Sequence, residues 1–257
     1  MAPSVPMYMV HSSLRIDATG MHYRELNAQL RETVMNGVQR IEVHNVRGQR
    51  YLGTDLHHPV EIHLYGTPGN DLASFLDGPR IVVHGNAQDG CGNTMNDGEI
   101  IVHGRAGDAT GHAMRGGKIF VRDDVGYRVA IHMKEYQEKR PLIVIGGTAQ
   151  HFLGEYMAGG VLVVLGLTLR PGEKHTASYI GTGMHGGVMY IRGEFADHQL
   201  GAEVGRAPLN ETDHSFLRQA VGEYCAHFGY DPDKILAHSF TKLLPLSLRP
   251  YGRMYAY

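Results

Sequence analysis

One apolar phrase recurs through the middle of the chain. A run of β-branched and aliphatic residues alternates in and out and then closes, at residues 81–85, 100–104, 119–123, 143–147, 162–166 and 189–193. The closing position falls at Gly66, Gly85, Gly104, Asp123, Gly147, Gly166 and Gly193, in steps of 19, 19, 19, 24, 19 and 27. Between these closings a second position holds Leu76, Met95, Met114, Met133, Met157 and Met184, in steps of 19, 19, 19, 24 and 27. The two series lengthen together, so the unit is 19 residues and two units carry insertions of five and eight. A fixed period of this size marks a solenoid, whose units cannot bury their own apolar faces and must stack.

The contents of the unit decide which solenoid it is. Each holds one short β-branched run, and the remainder is rich in Gly, Asn and Asp with no room for a helix. The pattern therefore predicts an all-β fold, a right-handed parallel β-helix of about six to seven coils with flanking helices at both ends. Equivalent residues stack about 4.8 Å apart, which places Leu76 and the five methionines in one interior ladder. Gly66, Gly85, Gly104, Gly147, Gly166 and Gly193 are expected to supply positive φ where the coil turns. The repeat divides the chain into an N-terminal arm, helix and capping strands (1–59), the β-helix (60–195) and a C-terminal helical cap with a docking tail (196–257), all in one structural domain.

Outside the repeat the period changes. Tyr23, Leu26, Leu30 and Val34 recur at three and four, predicting a helix from Met21 or His22 to Asn36, stopped by Gly37, that plugs the open end of the stack. A strand is expected over 39–46 and a second from Arg50. A further helix from about Asp213 to Phe228, stopped at Gly229 and followed by a short one after Asp231 and Pro232, is expected to close the other end. The insertions at 134–140 and 168–175 read as surface loops. The tail from Leu243, with Tyr251, Tyr255 and Tyr257, has no period and reads as a partner contact, as does Arg140 in the first insertion.

Charge removes some classes of function. A formal net charge of −2 and no Lys/Arg cluster give no electrostatic case for nucleic acid. The apolar run at 161–169 is too short to span a bilayer, and the first 13 residues lack signal-peptide character, which makes a cytoplasmic protein the expectation. Cys91 and Cys225 lie far apart with no CxxC, so neither a disulfide framework nor a cluster within this chain is suggested.

Candidate chemistry is weighed position by position. Residues 181–186, GTGMHG, match GxGxxG, but a strand of the repeat follows where a dinucleotide fingerprint needs a helix, so they read as turn glycines. His84 and His103 are one coil apart with Arg122 and Arg192 in the same column; two imidazoles could hold zinc, but arginine cannot ligate it, and the column reads as an outward basic stripe. Asn70, Asp89 and Asp108 also stack, either as acid–base pairs of an autonomous carbohydrate-acting enzyme or as turn residues bonded to neighbouring backbone, and the turn reading is preferred.

Several phrases are specific enough to name a likeness: IDATGMHYRELN at 16–27, GTPGND at 66–71, GNAQD at 85–89, GNTM at 92–95, MRGGKI at 114–119, GYRV at 126–129 and FLGEYMAGG at 152–160. They resemble the GXGXG domain at the C-terminus of the glutamate synthase large subunit, and more closely its stand-alone form in split, archaeal-type glutamate synthases and N-methylglutamate synthases. A weaker likeness runs to the C subunit of formylmethanofuran dehydrogenase. The resemblance implies a β-helix without catalytic residues, a scaffold between a glutaminase subunit and an FMN and iron–sulfur synthase subunit. No cofactor or metal is then expected in this chain, FMN and iron–sulfur clusters belonging to its partners, and no catalytic position carries over.

Overall fold

The computed structural model describes residues 13–247; the arm expected over the first dozen residues and the tail residues Tyr251, Tyr255 and Tyr257 lie outside it. Its elements are β1 (Ser13–Asp17), α1 (Tyr23–Met35), β2 (Arg40–Arg47), β3 (Glu61–Thr67), β4 (Asp77–His84), β5 (Asp97–Val102), β6 (Lys118–Val121), β7 (Leu142–Ile145), β8 (Ala158–Val164), β9 (Gly186–Arg192), β10 (Val204–Ala207), α2 (Glu211–Phe228), α3 (Pro232–Leu236) and β11 (Phe240–Pro245). They form a sheet in the order β1 to β9, then β11 and β10. The first nine strands pair parallel with their sequence neighbours, winding a solenoid of about six turns, and β11 and β10 add antiparallel. No second strand forms at Arg50; residues 50–60 are turns, and the chain re-enters the sheet at Glu61.

Register follows the 19-residue period. Ile41, Ile62, Ile81, Ile100, Ile119, Ile143, Leu162 and Met189 pair in succession down one column, all buried in one continuous core. Branched side chains suit this pleated, fully packed position because they are already stiff at χ1. Leu76, Met95, Met114, Met133, Met157 and Met184 line the opposite wall of the same core, none more than 1% exposed. Unbranched thioethers fill the uneven gaps between coils.

Between strands each coil turns through three alternate left-handed positions. One column of them is Tyr51, Asp71, Gly90, Ala109, Arg128, Phe152 and Tyr179; the next is Gly53, Ala73, Gly92, Gly111, Ala130, Gly154 and Gly181. The third is Asp55, Phe75, Thr94, Ala113, His132, Tyr156 and Gly183. Each non-glycine residue there costs about 1 kcal/mol, offset by backbone bonds to the next coil such as Thr94 N to His112 O (2.7 Å) and Tyr156 N to Thr182 O (2.8 Å).

This corrects the roles assigned to the turn glycines. Gly66, Gly166 and Gly193 have positive φ, but Gly85, Gly104 and Gly147 do not. At those three a side chain would strike the coil before: the Gly66 carbonyl from Gly85, the Asn86 side chain and Gly85 carbonyl from Gly104, and the Asp124 carboxylate from Gly147. Glycine is needed there for close stacking rather than for its φ.

The two ends are closed differently. α1, in the β1–β2 crossover, turns Leu26, Leu30 and Val34 into the interior cluster and so plugs its end, while Asn27 donates to the Arg50 carbonyl at 2.9 Å. The far end is covered by Val204 and Leu243 of the antiparallel extension, which join Ile180 of the last coil in the interior cluster, not by the long helix. α2 lies instead along the outside of the sheet, packing Leu217, Ala220, Val221 and Tyr224 on Ile101, Phe120, Val144, Val163 and Tyr190. A helix seals an apolar face wherever one is left bare, and these outward columns are as apolar as the interior.

Candidate functional site

The outward column of the sheet reads Arg15, Glu42, His63, Val82, Ile101, Phe120, Val144, Val163 and Tyr190. Its polarity changes at Val82. The apolar part lies under α2 and α3; among the described residues no helix lies over the polar flank of β1 to β4 beside them, whose outward side chains are half-buried to exposed. On that flank rings stack in register: His44 on Tyr65 at 4.3 Å, Tyr65 on His84 at 4.3 Å and His84 on His103 at 5.4 Å between centroids. His63 and His84 share a hydrogen bond at 2.9 Å, and the stack ends edge-on against Phe228 of α2 at 5.1 Å. Beside it runs an ion ladder in which Glu61 accepts from Arg40 (2.6 Å) and Arg80 (3.0 Å), and Arg80 reaches Glu99 (2.8 Å).

Stacked imidazoles resist charging. Burial and the neighbouring His63 and His103 hold the His84 pKa below its ordinary value, and burial, Arg122 and His227 do the same for His103. The unfolded chain therefore takes up protons that the folded chain refuses, so stability is full above about pH 6.5 and falls as pH drops through it. Replacing both with glutamine should flatten that decline, measured as the urea midpoint at pH 7 and pH 5.5; an unchanged slope would remove these rings as its cause.

A second exposed stripe follows the left-handed corners of the later coils. Phe152 stacks on Tyr179 at 4.8 Å, His132 on Tyr156 at 5.3 Å, and the Arg128 guanidinium lies 4.8 Å over Phe152. Tyr156 and Tyr179 are 45% and 55% exposed, so the strain of holding aromatic residues at positive φ is spent on surface. Strained, exposed side chains are where function is to be looked for.

The positions singled out in sequence lie as follows. Gly181 and Gly183 are corner glycines and Gly186 begins β9, with no helix N-terminus after them, so the GxGxxG match is a turn. Asp89 accepts from the Asp108 N–H at 2.9 Å and Asp108 from the Tyr127 N–H at 2.9 Å, which fits carboxylates tying coil to coil. His84 and His103 join the ring stack, Arg122 forks onto its neighbour Asp123, and Arg192 ends β9 opposite Phe240 of β11. Arg140 pairs with Glu135 at 3.1 Å and rests over Phe216, fastening the first insertion to α2. Among the described residues no three His, Cys, Asp or Glu converge as a metal ion requires. Cys91 and Cys225 are both buried, and burial pushes their thiols up to about 12 and about 11.

Sequence reasoning missed His44, His63 and Tyr65, because it followed only the phrases that end in glycine. Stepping back one period from His84 reaches Tyr65, and the column before Val82 is polar where every later member is apolar.

Comparison with known proteins bears on the whole solenoid. The GXGXG motif family matches residues 24–247, which contain all three left-handed columns. The chain is also 48% identical over 248 residues to a protein of Methanocaldococcus jannaschii named as uncharacterized, covering 93% of this chain and 95% of that one.

Proposed function

We propose that this chain, which belongs to the GXGXG motif family, the domain found in the glutamate synthase large subunit, is a non-catalytic structural subunit of a glutamate-synthase-type complex. In this role it bridges a glutaminase-type amidotransferase and an FMN and iron–sulfur subunit in the cytoplasm. The observation that carries the reading is the polar, ring-bearing flank of β1 to β4, over which no helix lies among the described residues. It presents the His44, Tyr65, His84 and His103 stack directly beside an apolar half that the chain's own helix covers.

A solenoid suits this task because its stacked coils hold distant surface stripes at a fixed separation. The ring stack and the corner stripe are the proposed contact surfaces, with Arg140 and the tail tyrosines Tyr251, Tyr255 and Tyr257 as further contacts. Aromatic and arginine side chains are the groups that anchor interfaces most often. The two buried, hard-to-ionise cysteines support placing iron–sulfur ligation in partner subunits, since thiolate is the form that binds a cluster. Asp89 and Asp108, each bonded to backbone, count against an autonomous carbohydrate hydrolase.

Isolation of the tagged full chain from its source cells, followed by mass spectrometry and absorbance, tests this. The expected result is a glutaminase-type protein and a flavin- and iron-containing protein in near-stoichiometric amounts. Recovery without either, or with a C1 dehydrogenase complex instead, would sink the proposal.

A further inference from the structure

The second insertion does more than leave the stack. Residues 169–174 of this loop, with the end of β9 and the start of β11, border an open cavity of about 860 Å³. Gly166 and Gly193 form part of its lining. His175, at the root of the loop, is buried and hydrogen-bonded to the Arg192 carbonyl at 2.8 Å, which fixes that lining.

The charges on its walls do not cancel. Lys174 pairs with Glu194 at 2.9 Å, Arg170 reaches Glu173 at 3.9 Å, and Arg206 pairs with Asp197 at 2.9 Å. Arg192 has no carboxylate among the described residues. Its Nη1 donates to the Leu165 carbonyl at 2.7 Å, and its Nε is shut away from solvent with no acceptor. A guanidinium cannot discharge itself by losing a proton, so a half-buried one without a counter-ion is costly and gains most from an anion. Ser239 and Thr241 line the same space, the Thr241 hydroxyl accepting from Arg206 at 3.2 Å.

The geometry points to a binding site for a small anion bearing a carboxylate or phosphate group, paired with the Arg192 guanidinium and held under the 168–175 loop. Arg192 is the anchor because its guanidinium keeps a permanent positive charge that no carboxylate among the described residues offsets. Arg170, whose side chain is 85% exposed, stands at the lip and draws the anion in. The site is independent of the subunit assignment, since it lies wholly within this chain.

Calorimetric titration of the isolated full chain with inorganic phosphate and, separately, succinate in low-chloride buffer tests it. One equivalent should bind, and the tighter probe distinguishes a phosphate from a carboxylate ligand. Arg192→Gln should weaken binding at least about 10-fold and Arg192→Lys less, because the charge remains. Arg170→Gln, at a position too exposed to disturb folding, should weaken it about 3-fold. Arg105→Gln, outside this cavity, should leave it unchanged. Absence of binding by either probe at about 10 mM, or binding that neither Arg192→Gln nor Arg170→Gln weakens, would overturn the site.

Discussion

Replacing Asp213 with alanine is expected to lower the unfolding free energy by about 3–5 kcal/mol, the range for breaking a buried ion pair by removing one partner. Asp213 is 5% exposed and accepts from the Tyr190 hydroxyl at 2.5 Å and from Lys242 Nζ at 2.8 Å, and it also accepts from the Asn210 N–H at the start of α2. One carboxylate thus joins β9, β11 and the N-terminus of the covering helix. Without it, the Lys242 ammonium, with a side chain 12% exposed, and the Tyr190 hydroxyl are left buried and unpaired. Burial alone would raise the Asp213 pKa, but the bonds from Lys242, Tyr190 and Asn210 outweigh it and hold the carboxyl below its ordinary value of 3.8.

The sign follows from that direction. A carboxyl with a depressed folded pKa stabilises the fold fully above the unfolded value and loses that contribution as pH falls through the folded one. The Asp213→Ala variant should therefore be much less stable than the parent at neutral pH, and the gap should narrow below about pH 3.8. Denaturant melts from pH 7 to pH 3 measure both. A neutral-pH loss under about 1 kcal/mol, the worth of an exposed pair, would mean that the three elements are not joined through this carboxylate.

Gly146→Ala is expected to cost about 3 kcal/mol, the upper end of the overpacking range. A Cβ at Gly146 would enter the space of the Tyr224 hydroxyl and of the Arg122 carbonyl, which themselves share a hydrogen bond at 2.8 Å. Tyr224 is fully buried, and burial pushes its phenol pKa up, so it stays a neutral donor that fastens α2 to the sheet. The substitution should expel that ring and loosen the helix while leaving the coils wound. Hydrogen exchange would show this as lost protection in α2 with protection retained in β2 to β5. Equal loss throughout would mean that helix and solenoid unfold as one unit. Tyr224→Phe, which deletes the hydroxyl alone, should cost about 1 kcal/mol and separates the hydrogen bond from the clash.

Counting in 19s was enough to read the solenoid, its register and its interior, because in a stack of near-identical coils the neighbour in space is one period away in sequence. Ile62, Ile81 and Ile100 could be paired without coordinates for that reason, and they do pair. Helix boundaries were legible too: α2 ends at Phe228 with Gly229 in the left-handed conformation, as a glycine stop requires. The same period explains why Asp89 and Asp108 bond one coil onward.

What the period does not encode is which outward column is left bare, and this only the tertiary structure decided. The sequence shows α2 to be amphipathic, which says that it covers something apolar; whether that is the end of the stack or its side depends on which bare face is larger and flatter. The outward column from Val82 to Tyr190 is apolar and packs under the helix, whereas the end is closed by β10 and β11. With the helix there, His103 meets its last residue Phe228, and no helix among the described residues lies over His44, Tyr65 and His84. The glycines divided in the same way. Their spacing was plain in sequence, but whether each serves positive φ, as at Gly193, or close approach, as at Gly85, is set by how near the previous coil lies, a distance that exists only once the coils are stacked.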